Sequence, residues 1–118
     1  MPFSTTQGTP HMELTGKEDH HISLDAASAM TAAYRVSAEG KAGRAILGGV
    51  FGRGIIDEIL AQPGCVGIRY YYGLDKSSVQ VLMLVGVTAD NNDIWQGTIA
   101  EVSFPCPPAC PMPNPLNR

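Results

Sequence analysis

The chain lacks most of the features that announce a chemistry. Its 118 residues include eight basic ones, and Lys17, Arg35, Lys41, Arg44, Arg53, Arg69, Lys76 and Arg118 never form a run. A nucleic-acid surface draws most of its affinity from concentrated phosphate neutralisation, so no nucleic-acid partner is expected at a net charge of −3. No apolar run approaches the ~18–20 residues that cross a bilayer, so no membrane span is expected. Met1 to His21 lacks the basic stretch and apolar core of a signal peptide. The expected location is the cytoplasm, with an extracellular one left open. His11-Met12 reads equally as a cloning junction or an alternative start.

Catalytic signatures are missing too. There is no Gly-x-Ser-x-Gly elbow and no histidine beyond His21, which removes the common nucleophile–base arrangements. Gly48, Gly49, Gly52 and Gly54 suggest a phosphate loop, but Gly-Gly-Val-Phe-Gly-Arg-Gly carries no Lys-Ser/Thr close. A flexible or closely packed loop is the better reading. Asp57 and Glu58 are adjacent acids on a helix surface, and Asp25 complements a helix dipole. No catalytic residue is expected, and the chain reads as a non-enzyme.

What is present describes a small α+β domain. Apolar residues make up 44% of the chain, ordinary for a globular protein. Ser23 as N-cap, Asp25 and the run Ala26-Ala27-Ser28-Ala29-Met30 open a helix over about 24–37. Its apolar face is Ala27, Met30 and Tyr34, with Leu24 and Ala33 at the edge. Gly40 supplies a stop, and Ala45-Ile46-Leu47 reads as a short strand or an apolar plug. A second helix is expected over about 53–62, with Ile55, Ile56, Ile59 and Leu60 turned inward and Pro63-Gly64 ending it.

A long hairpin over about 65–88 follows. Val66, Ile68, Tyr70 and Tyr72 alternate with Cys65, Gly67, Arg69 and Tyr71, the period of a strand. Gly73 to Ser78 reads as the turn. The returning strand places Val79, Val81, Met83, Val85 and Val87 on one face, while Leu82 and Leu84 keep the other apolar in its middle. A strand apolar on both faces is expected at the centre of a sheet. Gly97 to Phe104 reads as a weaker strand, with Ile99, Val102 and Phe104 as its apolar residues. Pro105 to Pro115 holds six of the nine prolines and is expected to be extended. The fold class is thus α+β: an antiparallel sheet on a long hairpin, two short helices and extended tails. Residues 1–21 form a flexible or partner-held arm, 22–104 one domain and 105–118 a proline-rich tail.

From Ile22 onward the chain resembles a family of small, uncharacterised bacterial proteins. The likeness rests on Ile22-Ser-Leu-Asp25 with Met30-Thr31 and Tyr34-Arg35, on Pro63-Gly-Cys65 with Tyr71-Tyr-Gly73, and on Val85-Gly-Val87 with Asp93-Ile94. Cys106-Pro-Pro-Ala-Cys110-Pro and Pro115-Leu-Asn117 complete it. The resemblance implies that hairpin and tail belong together, and it implies no activity. The glycine-loaded stretch at 40–54 departs from the family pattern.

Three cysteines, an odd number, argue against a secreted disulfide framework. Cys106 and Cys110 are spaced as metal pairs are, and Cys65 with His21 would complete a Cys₃His zinc site. Against zinc stand the stiffness of Pro107-Pro108 and the strand setting of Cys65. Reduced thiols are the leading expectation, a Cys106–Cys110 disulfide the next and zinc the third. His20-His21 reads more simply as a solvated stretch before the N-cap.

Tyr70-Tyr71-Tyr72 puts aromatic rings on both faces of a strand, and Tyr71 beside Arg69 has the composition of a protein interface. Two modest helices leave part of such a sheet uncovered. Arg69, Tyr71, Leu82 and Leu84 are therefore the interface candidates, with a homo-oligomer as the expected partner. The leading functional expectation is a structural or interaction protein that self-associates through its sheet and tails. A zinc or thiol module on Cys65, Cys106 and Cys110 is the alternative. A small-molecule binding domain, with a pocket between the Gly-rich loop and the hairpin, is a further one.

Overall fold

A computed structural model describes residues 12–39, 46–101 and 104–118. Residues 1–11, Gly40, Ala45 and Val102 lie outside the described residues, and with them the far part of the N-terminal arm and the expected helix stop. The described chain is α+β with antiparallel sheets. It divides into two compact units, one holding residues 12–18 and Gly52–Glu101, the other residues 19–39, 46–51 and 104–118. The hairpin falls in the first and the proline-rich tail in the second.

In the second unit, helix α1 spans Leu24–Glu39. Ser23 caps it, its hydroxyl accepting from the Ala26 amide at 3.0 Å. Strand β1 (Gly48–Val50) belongs to the same unit. In the first unit, α2 spans Arg53–Leu60, with Ala61 as its C-cap. The helix ends before Gln62 because the residue preceding a proline avoids helical geometry.

Strand β2 (Cys65–Leu74) and strand β3 (Gln80–Thr88) form the expected hairpin, in register from Leu74–Gln80 to Gly67–Val87, with Cys65 opposite Thr88 beyond a register shift. The Asp75 carboxylate closes the turn, accepting from the Ser77 and Val79 amides at 2.7 and 3.0 Å. β3 is central, between β2 and the short strand β4 (Ile99–Glu101). Leu84, Val85, Gly86 and Val87 are consecutive and all buried, as a strand apolar on both faces requires. With Ile59 of α2 and Ala100 of β4 they make the core of this unit.

Two expectations are corrected here. The weak strand at 97–104 is two strands: β4 pairs with β3, whereas β5 (Phe104–Cys106) pairs with β1 in the other unit. The tail beyond it is not extended. Its remaining donors close successive turns, Ala109 N–H to the Pro105 carbonyl at 2.9 Å and Asn117 N–H to that of Asn114 at 3.1 Å. The peptide bonds before Pro107 and Pro108 are cis.

Residues 12–18 are held within the first unit. The Leu14 amide donates to the Ala89 carbonyl at 2.8 Å, and Gly16 adopts φ +83° so close to Val66 that a Cβ would meet its carbonyl oxygen at 2.9 Å. The Glu18 carboxylate accepts from the Thr15 amide at 2.7 Å and the Gly16 amide at 3.0 Å. These bonds, the Thr15 amide first, hold its pKa below the ordinary value.

Candidate functional site

The hairpin surfaces come first, because the interface candidates lie there. Residues opposite each other on an antiparallel pair share a face. Tyr70–Leu84, Tyr72–Leu82 and Ile68–Gly86 therefore lie on one face, and Arg69–Val85 and Tyr71–Met83 on the other. The four candidates are not brought together. Leu84 is 8% exposed and belongs to the core; Leu82 is half-buried.

Arg69 and Tyr71 instead meet the turn that follows β3. Arg69 Nη1 donates to Asp93 Oδ1 at 2.5 Å, and its Nη2 reaches Asn91 Oδ1. Tyr71 Oη donates to Asp93 Oδ2 at 2.5 Å. Asp93 is placed for this by its bridge to Val87, and the Ile94 amide donates to the Gly86 carbonyl at 2.8 Å. The Tyr71 hydrogen bond, followed by Arg69, holds the Asp93 carboxyl below its usual range, and the same bond raises the Tyr71 phenol. The cluster is a clamp, with an arginine charge already balanced and a phenol that stays protonated.

A bulge between Cys65 and Gly67 shifts the start of β2. Alternation from the sequence puts Cys65 on the Arg69 face. Its sulfur actually lies 2.8 Å from where a Cβ on Gly86 would stand, on the Ile68 face. Gln62 fills the same spot, its Nε2 donating to the Ile59 carbonyl at 2.9 Å and its Oε1 accepting from the Thr98 amide at 2.8 Å.

The zinc reading meets a covalent obstacle. Cys106 and Cys110 are joined in a disulfide, and Cys65 is a free, half-buried thiol. Disulfide sulfurs offer no thiolate, the form that binds metal. Cys65 donates to the Gly67 carbonyl at 3.2 Å, and the exposed His21 has Nδ1 2.7 Å from Asp19 Oδ1. Among the described residues no group of three or more His, Cys, Asp or Glu side chains is placed to hold a metal.

The second unit contains a cleft of about 930 Å³. One wall is α1, through Met30, Thr31, Tyr34 and Arg35. Leu47 to Val50 form another, and the Cys106–Cys110 disulfide, Leu116 and neighbouring tail residues line the rest. The α1 face expected to pack in a core thus lines an open cleft. Two hydrogen bonds fix its walls. Tyr34 Oη donates to the Ile46 carbonyl and Arg35 Nη1 to the Leu116 carbonyl, each at 3.0 Å. The Leu47 amide adds a bond to the Cys106 carbonyl at 2.7 Å. The small-molecule alternative placed a pocket between the Gly-rich loop and the hairpin; Gly48 and Gly49 do line this cleft, but α1 and the tail, and no hairpin residue, are the other described lining. The sequence signal was the pairing of Tyr34-Arg35 with a two-cysteine tail, which no helical or strand period connects.

Compared with known proteins, the chain matches no family model, no curated protein and no solved structure. Among the described residues no helix is long and apolar enough to cross a membrane.

Proposed function

We propose that this chain is a non-enzymatic interaction protein that self-associates through the outer edge of its hairpin. The observation that carries the reading is the position of β2. It is ten residues long, it sits at the edge of its sheet, and no described strand pairs with its other side. An edge of this kind is a template for another strand, and proteins that must stay monomeric blunt it with charge, proline or bulges. From Ile68 to Leu74 the strand has no proline and no bulge. Its one charge, Arg69, is tied to Asp93.

The side chains along that edge are apolar and open. Tyr70 and Tyr72 are 59% and 66% exposed and stack edge-to-face at 5.7 Å. Two copies pairing β2 to β2 about a two-fold axis would join two three-stranded sheets and cover these rings. The proline-rich tail has no part in this, since its turns replace the extended form that tail pairing needs. The Cys106–Cys110 disulfide favours an oxidising compartment over the cytoplasmic one expected from sequence.

Light scattering tests the reading. The wild-type protein should show a mass near twice its 12.5 kDa, and the Tyr70→Lys/Tyr72→Lys variant should fall to a single subunit with an unchanged circular dichroism spectrum. A wild-type protein that stays monomeric at high micromolar concentration overturns it.

A further inference from the structure

The cleft of the second unit has a chemistry of its own, independent of any pairing of hairpins. Its lining is apolar almost throughout: Met30, the Tyr34 ring, Leu47, Val50, Leu116 and the disulfide. Its volume of about 930 Å³ lies toward the upper end of the ~300–1,000 Å³ typical of small-molecule sites. Met30, Leu47 and Val50 are exposed, so this surface is open to solvent, at a cost that a bound apolar chain would offset.

Among the described residues one charged side chain stands in the lining, Arg35. One guanidinium N–H is used by the Leu116 carbonyl, and among the residues whose side chains are described no carboxylate forms an ion pair with Arg35. A guanidinium has five N–H donors in a planar fork that matches a carboxylate. The bond to Leu116 holds the head group at the cleft and uses one of those five donors.

An apolar trough whose described lining holds one cation and no acidic residue is complementary to an anionic amphiphile. We propose that this cleft binds a long-chain fatty carboxylate, the acyl chain lying along Met30, Leu47, Val50 and the disulfide and the carboxylate meeting Arg35. A neutral apolar ligand would leave the guanidinium unused, and a cationic one would be repelled by it.

Isothermal titration of the disulfide-intact full chain with palmitate, below its micellar concentration, tests this. One site per chain is expected, with methyl palmitate at least about tenfold weaker, since a charge-assisted pair is lost. Arg35→Gln should lower palmitate affinity by a similar factor and leave the ester unchanged, while Arg35→Lys recovers part of the loss. The acid–ester comparison on the wild type decides the matter even where a variant fails to fold. Equal binding of acid and ester, or no saturable binding, overturns the proposal. Cosedimentation with anionic phosphatidylglycerol vesicles in place of palmitate binding overturns it in favour of a bilayer surface. Palmitate binding displaced by raising protein concentration would instead assign the cleft to a second copy.

Discussion

Replacing Gly86 with alanine places one methyl group in the tightest part of the first unit. The new Cβ would stand 2.8 Å from the Cys65 sulfur, 3.0 Å from Gln62 Nε2 and 3.3 Å from Ile94 Cδ1. Gly86 is buried on the central strand, with Ile68 opposite, and the half-buried Cys65, Gln62 and Ile94 must each shift to make room. Overpacking of this sort costs about 1–3 kcal/mol. The restricted unfolded chain returns about 0.4–1 kcal/mol, leaving a net destabilisation of about 0.5–2 kcal/mol. The largest collision is with sulfur, so Cys65→Ala should relieve it. Alone, Cys65→Ala should cost about 1 kcal/mol; combined with Gly86→Ala, it should yield a favourable coupling of about 1 kcal/mol. Urea unfolding reads this directly, since about 1 kcal/mol moves the midpoint by roughly 0.3–1 M. Strictly additive effects would refute the placement of Cys65 on the Ile68 face and, with it, the bulge at the start of β2.

Two further outcomes follow from the geometry. The Asp93 carboxyl is held below its ordinary value of 3.8 by Tyr71 and Arg69, so it contributes stability in full above about pH 5, lost as the pH falls through 3.8 and the depressed folded value. The stability difference between wild type and Asp93→Asn should be constant above about pH 5 and shrink below about pH 4; a difference that grows on acidification contradicts the clamp. Reduction of Cys106–Cys110 should release the Leu47 amide, which bonds the Cys106 carbonyl, while amides in β3 keep their protection. Hydrogen exchange monitored residue by residue distinguishes the two, and equal loss in both units would show that the disulfide's influence is not confined to its own unit.

Much of the architecture was legible because it depends on local periodicity. Ser23, the alanine-rich run and Asp25 mark α1, and alternation through Arg69 to Tyr72 marks β2. The apolar residues on both sides of β3 anticipate its central position. Each signal lies within a few residues of its consequence. The bulge was not legible, because it is set by how Cys65, Gln62 and Gly86 share one space across the sheet. Leu84 looked like an interface residue on alternation alone and became core once α2 and β4 were placed. The tail was read as extended from its prolines, but the donors between those prolines and the sulfur pairing decide its path.

The candidate sites divide in the same way. The Tyr70-Tyr71-Tyr72 run suggested one ring face in the core and Tyr71 presented beside Arg69, whereas Tyr70 and Tyr72 are the more exposed rings. The partner of Arg69 and Tyr71, Asp93, lies more than twenty residues away, at separations of 24 and 22. The cleft draws on α1, on β1 and on a tail some eighty residues after the helix, at a separation of 81 for Arg35 and Leu116.

The sequence by itself determined the α+β class, both helices, the hairpin and the scattering of positive charge, since propensity, capping and alternation act over a few bonds. Tertiary structure alone decided that Cys106 and Cys110 are joined, that the residues after 97 serve two sheets, and that Arg35 stands in an apolar cleft. Those outcomes depend on which distant segments meet, and side-chain volumes and hydrogen-bond partners that no local pattern encodes determine that meeting.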